Sequence, residues 1–152
     1  METTMLENIC EISISYEPKI KRSQLPTVKT SEDCYQLLME SWNPKRIKLM
    51  EDFKVLYMNR ASRVLGIHHL SSGSIVGTVV DIRLIFATAL KCLATKIIVC
   101  HNHPSGNLSP SNADISITQN IAEAGRFLQI ELLDHLIISE DGYFSFSDKG
   151  YI

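Results

Sequence analysis

The sequence predicts an α/β domain of the α+β type, in which helices flank a mixed β-sheet. Short apolar stretches rich in β-branched residues alternate along the chain with longer segments whose apolar residues recur at helical spacing. The chain has 152 residues, 45% of them hydrophobic, which is enough to bury a core without disulfides or oligomerisation. The sequence contains no internal repeat, so repeat architectures are excluded.

Residues 1–30 are predicted to form an N-terminal strand and a basic arm, and residues 31–152 a single domain. The strand is expected over residues 11–16, where isoleucine and tyrosine alternate with polar residues. Residues 17–29 contain two prolines and several basic side chains, which favours an extended arm.

A helix and a hairpin are predicted to follow. Thr30 stands three residues before Asp33, a capping-box pattern that marks the start of a helix. Pro44 ends this helix, because proline disfavours the α conformation in the residue before it. Residues 53–58 and 63–70 are apolar stretches separated by a short polar segment, and they predict an antiparallel hairpin.

The second half of the chain is predicted to alternate helices and strands. Asp81 can cap a helix that runs to about residue 94. The remaining elements are a strand, a helix and two strands joined by an Asp-Gly turn, over residues 96–100, 111–128, 130–138 and 143–146.

Charge and cysteine usage exclude several classes of protein. Fifteen basic against seventeen acidic residues give a net charge of -2, which offers no general attraction for nucleic acid. The four cysteines form no CxxC pair, so a zinc ribbon is not supported and reduced thiols are expected. With no readable signal peptide and no apolar run long enough to cross a bilayer, we expect a cytoplasmic protein with no membrane partner.

The chemistry is concentrated in residues 101–114. His101 and His103 lie two residues apart at the end of a strand, so their side chains share one face. Asp114 follows in the first turn of the next helix, and a loop that folds back can bring it to the histidines. Two imidazoles and one carboxylate suit Zn²⁺ and leave one position for water. A His-x-His pair alone means little, and the spacing of Ser111 and Asp114 also fits a helix cap.

The full pattern resembles the JAMM (MPN) metalloprotease motif, which is His-x-His, seven residues, Ser, two residues and Asp. The string His-Asn-His-Pro-Ser-Gly is similar to the RadC branch of that family. The resemblance covers about residues 31–152 and is supported by Ser72-Gly73, Gly77-Thr78, Leu133-Asp134-His135-Leu136-Ile137 and the segment from Tyr143 to Gly150. Residues 1–30 do not match the helix-hairpin-helix region of full-length RadC proteins, so the chain resembles a short form.

The resemblance implies a fold, a cofactor and an activity. The fold would be the MPN/JAMM, cytidine-deaminase-like one. His101, His103 and Asp114 would hold zinc, and Ser111 would donate a hydrogen bond to the oxyanion formed during amide or isopeptide hydrolysis. The substrate would then be a peptide or protein.

One residue departs from the family pattern. RadC-like sequences carry a general-base glutamate four residues before a glycine like Gly73, and here that position is His69, preceded by His68. His69 could accept the proton as a catalytic residue or bind the metal as a fourth ligand. Alternatively, the domain could be a catalytically weak metal-binding module. For His135 we expect only a structural hydrogen bond.

The RadC name also carries an association with DNA repair, which is a second functional hypothesis. Its support in this sequence is a local excess of seven basic over three acidic residues between Lys19 and Lys48. No aromatic stacking platform or strongly basic face accompanies that excess. The sequence contains no signal of an oligomeric state.

Overall fold

A five-stranded mixed sheet forms the centre of the computed structural model, which describes residues 9–73 and 79–152. The strands are β1 (Asp52–Met58), β2 (Val64–Ser72), β3 (Lys96–Asn102), β4 (Glu131–Ser139) and β5 (Gly142–Ser145), in the order β2-β1-β3-β4-β5. Strands β3 and β4 pair in parallel, and the other neighbours pair antiparallel. The predicted α+β class with a mixed sheet is confirmed.

Helices cover both faces of this sheet. Helix α1 (Ser31–Ser41) packs on one face, where Leu38 meets Leu56 and Leu136 in one apolar cluster. Helices α2 (Ile82–Lys91) and α3 (Asn112–Leu128) pack on the other face. A short 3₁₀ turn (Arg22–Gln24) precedes α1.

Local sequence signals explain where the helices begin and end. Thr30 and Asp33 form the predicted capping box of α1, and the Asp81 side chain accepts a hydrogen bond from the Arg83 N–H at the start of α2. Helix α2 ends at Lys91 rather than near residue 94. The chain turns out of the helix because Leu93 takes a left-handed conformation (φ 58°) and the Ala94 N–H closes back onto the helix.

The predicted strand over residues 11–16 does not form, which corrects that expectation. Ile12 and Ile14 are 90% and 76% exposed, and no strand of the described chain pairs with this segment. Alternation gives a segment β propensity, but a strand also needs a neighbour to bond with. The end of the predicted arm does pack on the domain, because residues 26–28 exchange backbone hydrogen bonds with residues 62–64.

The crossover between the parallel strands positions the functional residues. Parallel neighbours need a long connection, and here it runs from the end of β3 through α3 to β4. The start of α3 is thereby brought back to the end of β3. Among the described residues, no helix is both long and apolar enough to span a bilayer. The predicted match at Gly77-Thr78 lies outside the described residues.

Candidate metal centre

His101, His103 and Asp114 converge where β3 ends and α3 begins. One ligand atom from each residue lies within 4.8 Å of the others. The Nε2 atoms of the two histidines are 3.0 Å apart. The carboxylate oxygens of Asp114 lie 3.2 Å from His101 Nε2 and 3.5 Å from His103 Nε2. The fold thus assembles the predicted trio into a group that could hold a metal ion.

These separations match tetrahedral coordination. Metal–ligand bonds of about 2.0–2.1 Å at tetrahedral angles place neighbouring ligand atoms about 3.3 Å apart. Two imidazoles and one carboxylate are also a donor set that zinc accepts, and three protein ligands leave a fourth position open. The residues present therefore fit the ion that the sequence motif implies.

A line of buried hydrogen bonds fixes the ring of His101. Its Nδ1 lies 2.7 Å from His135 Nε2, and His135 Nδ1 lies 2.6 Å from Thr118 Oγ1. The Thr118 hydroxyl donates to the carbonyl oxygen of Asp114, at 2.6 Å, because a carbonyl can only accept. His135 Nδ1–H must then donate to Thr118, and His101 Nδ1–H to His135. The lone pair of His101 Nε2 is left facing the cluster.

The backbone orients His103 in the same sense. His103 Nδ1–H donates to the carbonyl oxygen of Asn107, at 2.5 Å, which leaves the His103 Nε2 lone pair to face His101 and Asp114. Two lone pairs and a carboxylate directed at one point favour a cation there. A proton can serve in its place, and the hydrogen bond that protonated His103 donates to Asp114 does raise the pKa of His103 above its ordinary value.

Burial and hydrogen bonding also shift the pKa values of Asp114 and His135. Partial burial raises the pKa of Asp114, but its hydrogen bonds with His101 and His103, which form when a proton on Nε2 takes the place of the cation, outweigh burial and hold that pKa well below its ordinary range. Complete burial lowers the pKa of His135 well below its ordinary value, in keeping with the neutral ring that the hydrogen bonds require. The sequence predicted a structural hydrogen bond for His135, and the structure shows that this bond orients a candidate ligand.

Ser111 occupies the N-cap of α3. Its Oγ accepts a hydrogen bond from the Asp114 N–H at 3.1 Å, and the Asp114 carboxylate accepts one from the Ser111 N–H at 2.7 Å. This capping box is the structural alternative considered for the Ser-x-x-Asp spacing. The hydroxyl proton of Ser111 remains available as a donor, because the cap uses only its oxygen lone pair.

The structure does not bring His69 to the group formed by His101, His103 and Asp114. Strand register pairs His69 with Lys54, whereas His101 pairs with Phe53, so the two histidines point to opposite faces of the sheet. His69 Nε2 lies 2.8 Å from Ser72 Oγ and 3.7 Å from Asp52 Oδ1, and its side chain is 46% exposed. This corrects the expectation that His69 lines the metal site.

Glu51, an acid that the motif spacing did not indicate, lies at the site instead. Glu51 lines a cavity of about 160 Å³ together with His101 and Asp114, and its charge contributes to the raised pKa of His103. Glu51 directly precedes β1 and is two residues before Phe53, whose ring stacks on His101 with centroids 6.1 Å apart. Strand alternation from Phe53 places Glu51, two residues earlier, on the same face as His101. The spacing to Gly73 instead indicates His69, which lies on β2.

Comparison with known proteins gives a family and several relatives. A UPF0758 protein of Flavobacterium johnsoniae is 51% identical over 100 residues, which are 66% of this chain and 44% of that protein. A UPF0758 protein of Alkaliphilus metalliredigens is 40% identical over 123 residues, 81% of this chain and 52% of that protein. One from Porphyromonas gingivalis is 44% identical over 103 residues, 67% and 45% of the two chains.

The chain spans about half the length of these curated relatives. The family model of the RadC-like JAB domain matches residues 28–151. This range includes all three candidate metal ligands and nearly the whole described fold. The resemblance seen in the motif is thereby confirmed. The chain belongs to the RadC-like JAB domain family.

Proposed function

We propose that this domain is a zinc-dependent hydrolase of amide or isopeptide bonds. The observation that supports the proposal is the convergence of two oriented imidazole lone pairs and one carboxylate at separations of 3.0–3.5 Å. Zinc bound there would polarise a substrate carbonyl and lower the pKa of a water molecule to about 7. His101, His103 and Asp114 would hold the ion.

Glu51 is the proton acceptor in this proposal. It lines the same cavity as His101 and Asp114, next to the position that three protein ligands leave open for water. It could take a proton from that water and return it to the leaving amine, a role that contributes about 10²–10⁴-fold to rate. The alternative, a catalytically weak metal-binding module, rests on the absence of a general-base acid. The position of Glu51 in the cavity lining argues against that absence.

Ser111 is the proposed oxyanion donor. It caps the helix that carries Asp114, it exchanges two hydrogen bonds with that residue, and its hydroxyl proton is not used by the helix cap. Loss of one such donor typically costs about 10²–10³-fold in kcat. A fall of that size in Ser111→Ala, with zinc retained, is therefore expected.

The walls of the cavity indicate a substrate with an apolar group beside the scissile bond. Four of the cavity's lining residues are apolar, namely Phe53, Val80, Ala113 and Ile117. A peptide or protein substrate fits this lining better than DNA does. Two of the basic residues that a DNA contact would use are already paired, Arg46 with Asp52 and Lys48 with Glu140.

The proposal is tested with zinc-loaded protein and quenched peptide libraries that contain both α-linked and lysine-linked amide bonds. Wild type should bind one equivalent of zinc and cleave a subset of the peptides. Glu51→Gln should bind zinc equally and lose about 10²–10⁴-fold in kcat. His69→Gln, on the other face, is the matched control and should retain activity. Absence of zinc binding by wild type, or full activity in Glu51→Gln, would overturn the proposal.

A further inference from the structure

Asn102 separates the two candidate histidine ligands in sequence but faces the opposite side of the sheet. Strand alternation directs His101 toward α3 and Asn102 toward the face that α1 covers. The Asn102 side chain is completely buried near the end of β3. A buried amide in such a place must have partners for both its donor and its acceptor.

All of those partners belong to the segment that carries Glu51. The Nδ2 of Asn102 donates to the carbonyl oxygens of Ile47 and Met50, at 2.7 and 2.8 Å. Its Oδ1 accepts a hydrogen bond from the Asp52 N–H, at 2.8 Å. Met50 and Asp52 are the two neighbours of Glu51 in the chain, so the amide holds the backbone on either side of that residue.

From these contacts we infer that Asn102 is a positioning residue, which fixes the Glu51 carboxylate against the metal cluster; the inference rests on the proposed function. A single strand end then determines both halves of the site. Its front face presents His101, and its back face holds the backbone of the acid. Misplacement of a catalytic group by about 1 Å can cost about 100-fold in rate, so this restraint is large enough to matter.

The chemistry of the side chain explains why an amide is needed. The restraint uses donors toward two carbonyl oxygens and an acceptor toward one N–H. An aspartate of the same size keeps the acceptor but has no donor when ionised, and an alanine has neither. A second tie, from the Gly73 N–H to the Glu51 carbonyl oxygen at 2.8 Å, holds the segment from the β2 side.

The test compares Asn102→Asp and Asn102→Ala with wild type. Amide hydrogen exchange of metal-free protein is the first measurement, because it needs neither zinc nor a substrate. We expect the Asp52 amide to exchange at least about tenfold faster in both variants. Bound zinc should stay at the wild-type level. On a peptide cleaved by wild type, kcat should fall by about 10-fold or more, up to the loss seen in Glu51→Gln, while KM changes less than about twofold.

Ser145→Ala is the control for a general loss of stability. The Ser145 hydroxyl is buried and donates to Asp134 at 2.6 Å, so its removal also breaks a buried polar contact, but in β5. This variant should leave kcat and the exchange of the Asp52 amide unchanged. Equal losses of kcat in Ser145→Ala and Asn102→Ala would overturn the inference, because the effect would then be general.

The remaining outcomes are also decisive. Loss of zinc from the Asn102 variants would overturn the inference, since Asn102 would then act on the ligands. Unchanged kcat despite faster exchange would overturn it as well. If no Asn102 variant folds, an unprotected Asp52 amide in wild type overturns it and a protected one supports it. Failure of the proposed function looks different, because wild type itself would then lack zinc or Glu51-dependent cleavage.

Discussion

The two faces of the sheet differ sharply at the end where β1 and β3 meet. The face toward α2 and α3 presents Phe53 and His101, and Glu51 shares their cavity. The face toward α1 presents Asp52 and Asn102, whose bonds are made within the protein. Residues that are adjacent in sequence therefore lie on faces with different roles. One face carries the candidate metal ligands, and the other carries the hydrogen bonds that hold the backbone on either side of Glu51.

The largest effect that separates the faces is expected for zinc binding. His103→Ala removes one of three ligands and should weaken zinc binding by more than about 100-fold, beyond the effect of losing an outer hydrogen-bond partner. His69→Ala removes a histidine from the other face and should bind zinc as wild type does. Calorimetric titration with zinc measures both. Similar losses in the two variants would show that the faces are not separate.

A smaller effect is expected from the hydrogen bonds behind His101. Thr118→Val keeps the shape of the side chain but removes the hydroxyl that orients His135, so zinc affinity should fall by about tenfold. Thr88→Val is a matched control, because the Thr88 hydroxyl makes the same bond to the carbonyl four residues earlier, in α2. Unchanged affinity in Thr118→Val would mean that His101 needs no orientation by His135.

The supporting face should respond in stability rather than in zinc binding. Asp52 is buried and accepts hydrogen bonds from Arg46 and Ser72, so Asp52→Ala should lower the free energy of unfolding by about 2–3 kcal/mol. Urea unfolding of metal-free protein measures this loss. Asp81→Ala, which removes a half-buried carboxylate that caps α2 and pairs with the exposed Arg83, should cost less.

The pH dependence of Asp52 gives a check on the sign. Burial raises the pKa of this carboxyl, but the bonds from Arg46 and Ser72 outweigh it, so the folded pKa lies below the ordinary value. Its stabilisation is therefore complete above the unfolded pKa of about 3.9 and declines as the pH falls through the folded pKa. The difference in the free energy of unfolding between wild type and Asp52→Ala should narrow in that range. If this difference widened in acid, the lowered pKa of Asp52 would be contradicted.

The smallest effect is expected at Asp134, also on the α1 face. Burial raises its pKa despite hydrogen bonds from Ser145 and the Ser147 N–H. The folded protein therefore binds this proton at a higher pH than the unfolded chain does. Relative to Asp134→Asn, wild type should gain stability as the pH falls through the folded pKa of Asp134 toward the unfolded pKa of about 3.9. Thermal unfolding across that range would detect a change of the opposite sign.

Local patterns predicted much of the fold and the ligand trio. The capping boxes at Thr30 and Ser111 depend on residues three apart, and the placement of His101 and His103 on one side depends on strand alternation. Such signals lie within one element, so the sequence displays them directly. The strand over residues 11–16 failed for the same reason, because its alternation says nothing about whether a neighbour exists.

Features that depend on strand register could not be predicted. Which residue of the hairpin faces His101 is decided by the pairing of β1 with β2 and β3, and a bulge near Phe53 shifts the β2 register. The sequence therefore placed His69 beside the candidate ligands, whereas the structure has Glu51 lining their cavity and His69 on the other face. His135 reaches His101 only through the parallel pairing of β4 with β3, across thirty-four residues.

The crossover from β3 through α3 to β4 has a consequence for the order of assembly. The candidate ligands lie within fourteen residues of one another, but His135 reaches His101 only after two strands distant in the chain have paired and the helix between them has docked. An ion that arrived earlier would find imidazoles whose rings His135 does not yet orient. Metal capture should therefore follow folding, unlike the metal-driven folding of zinc fingers. A chelator should then empty this domain without unfolding it.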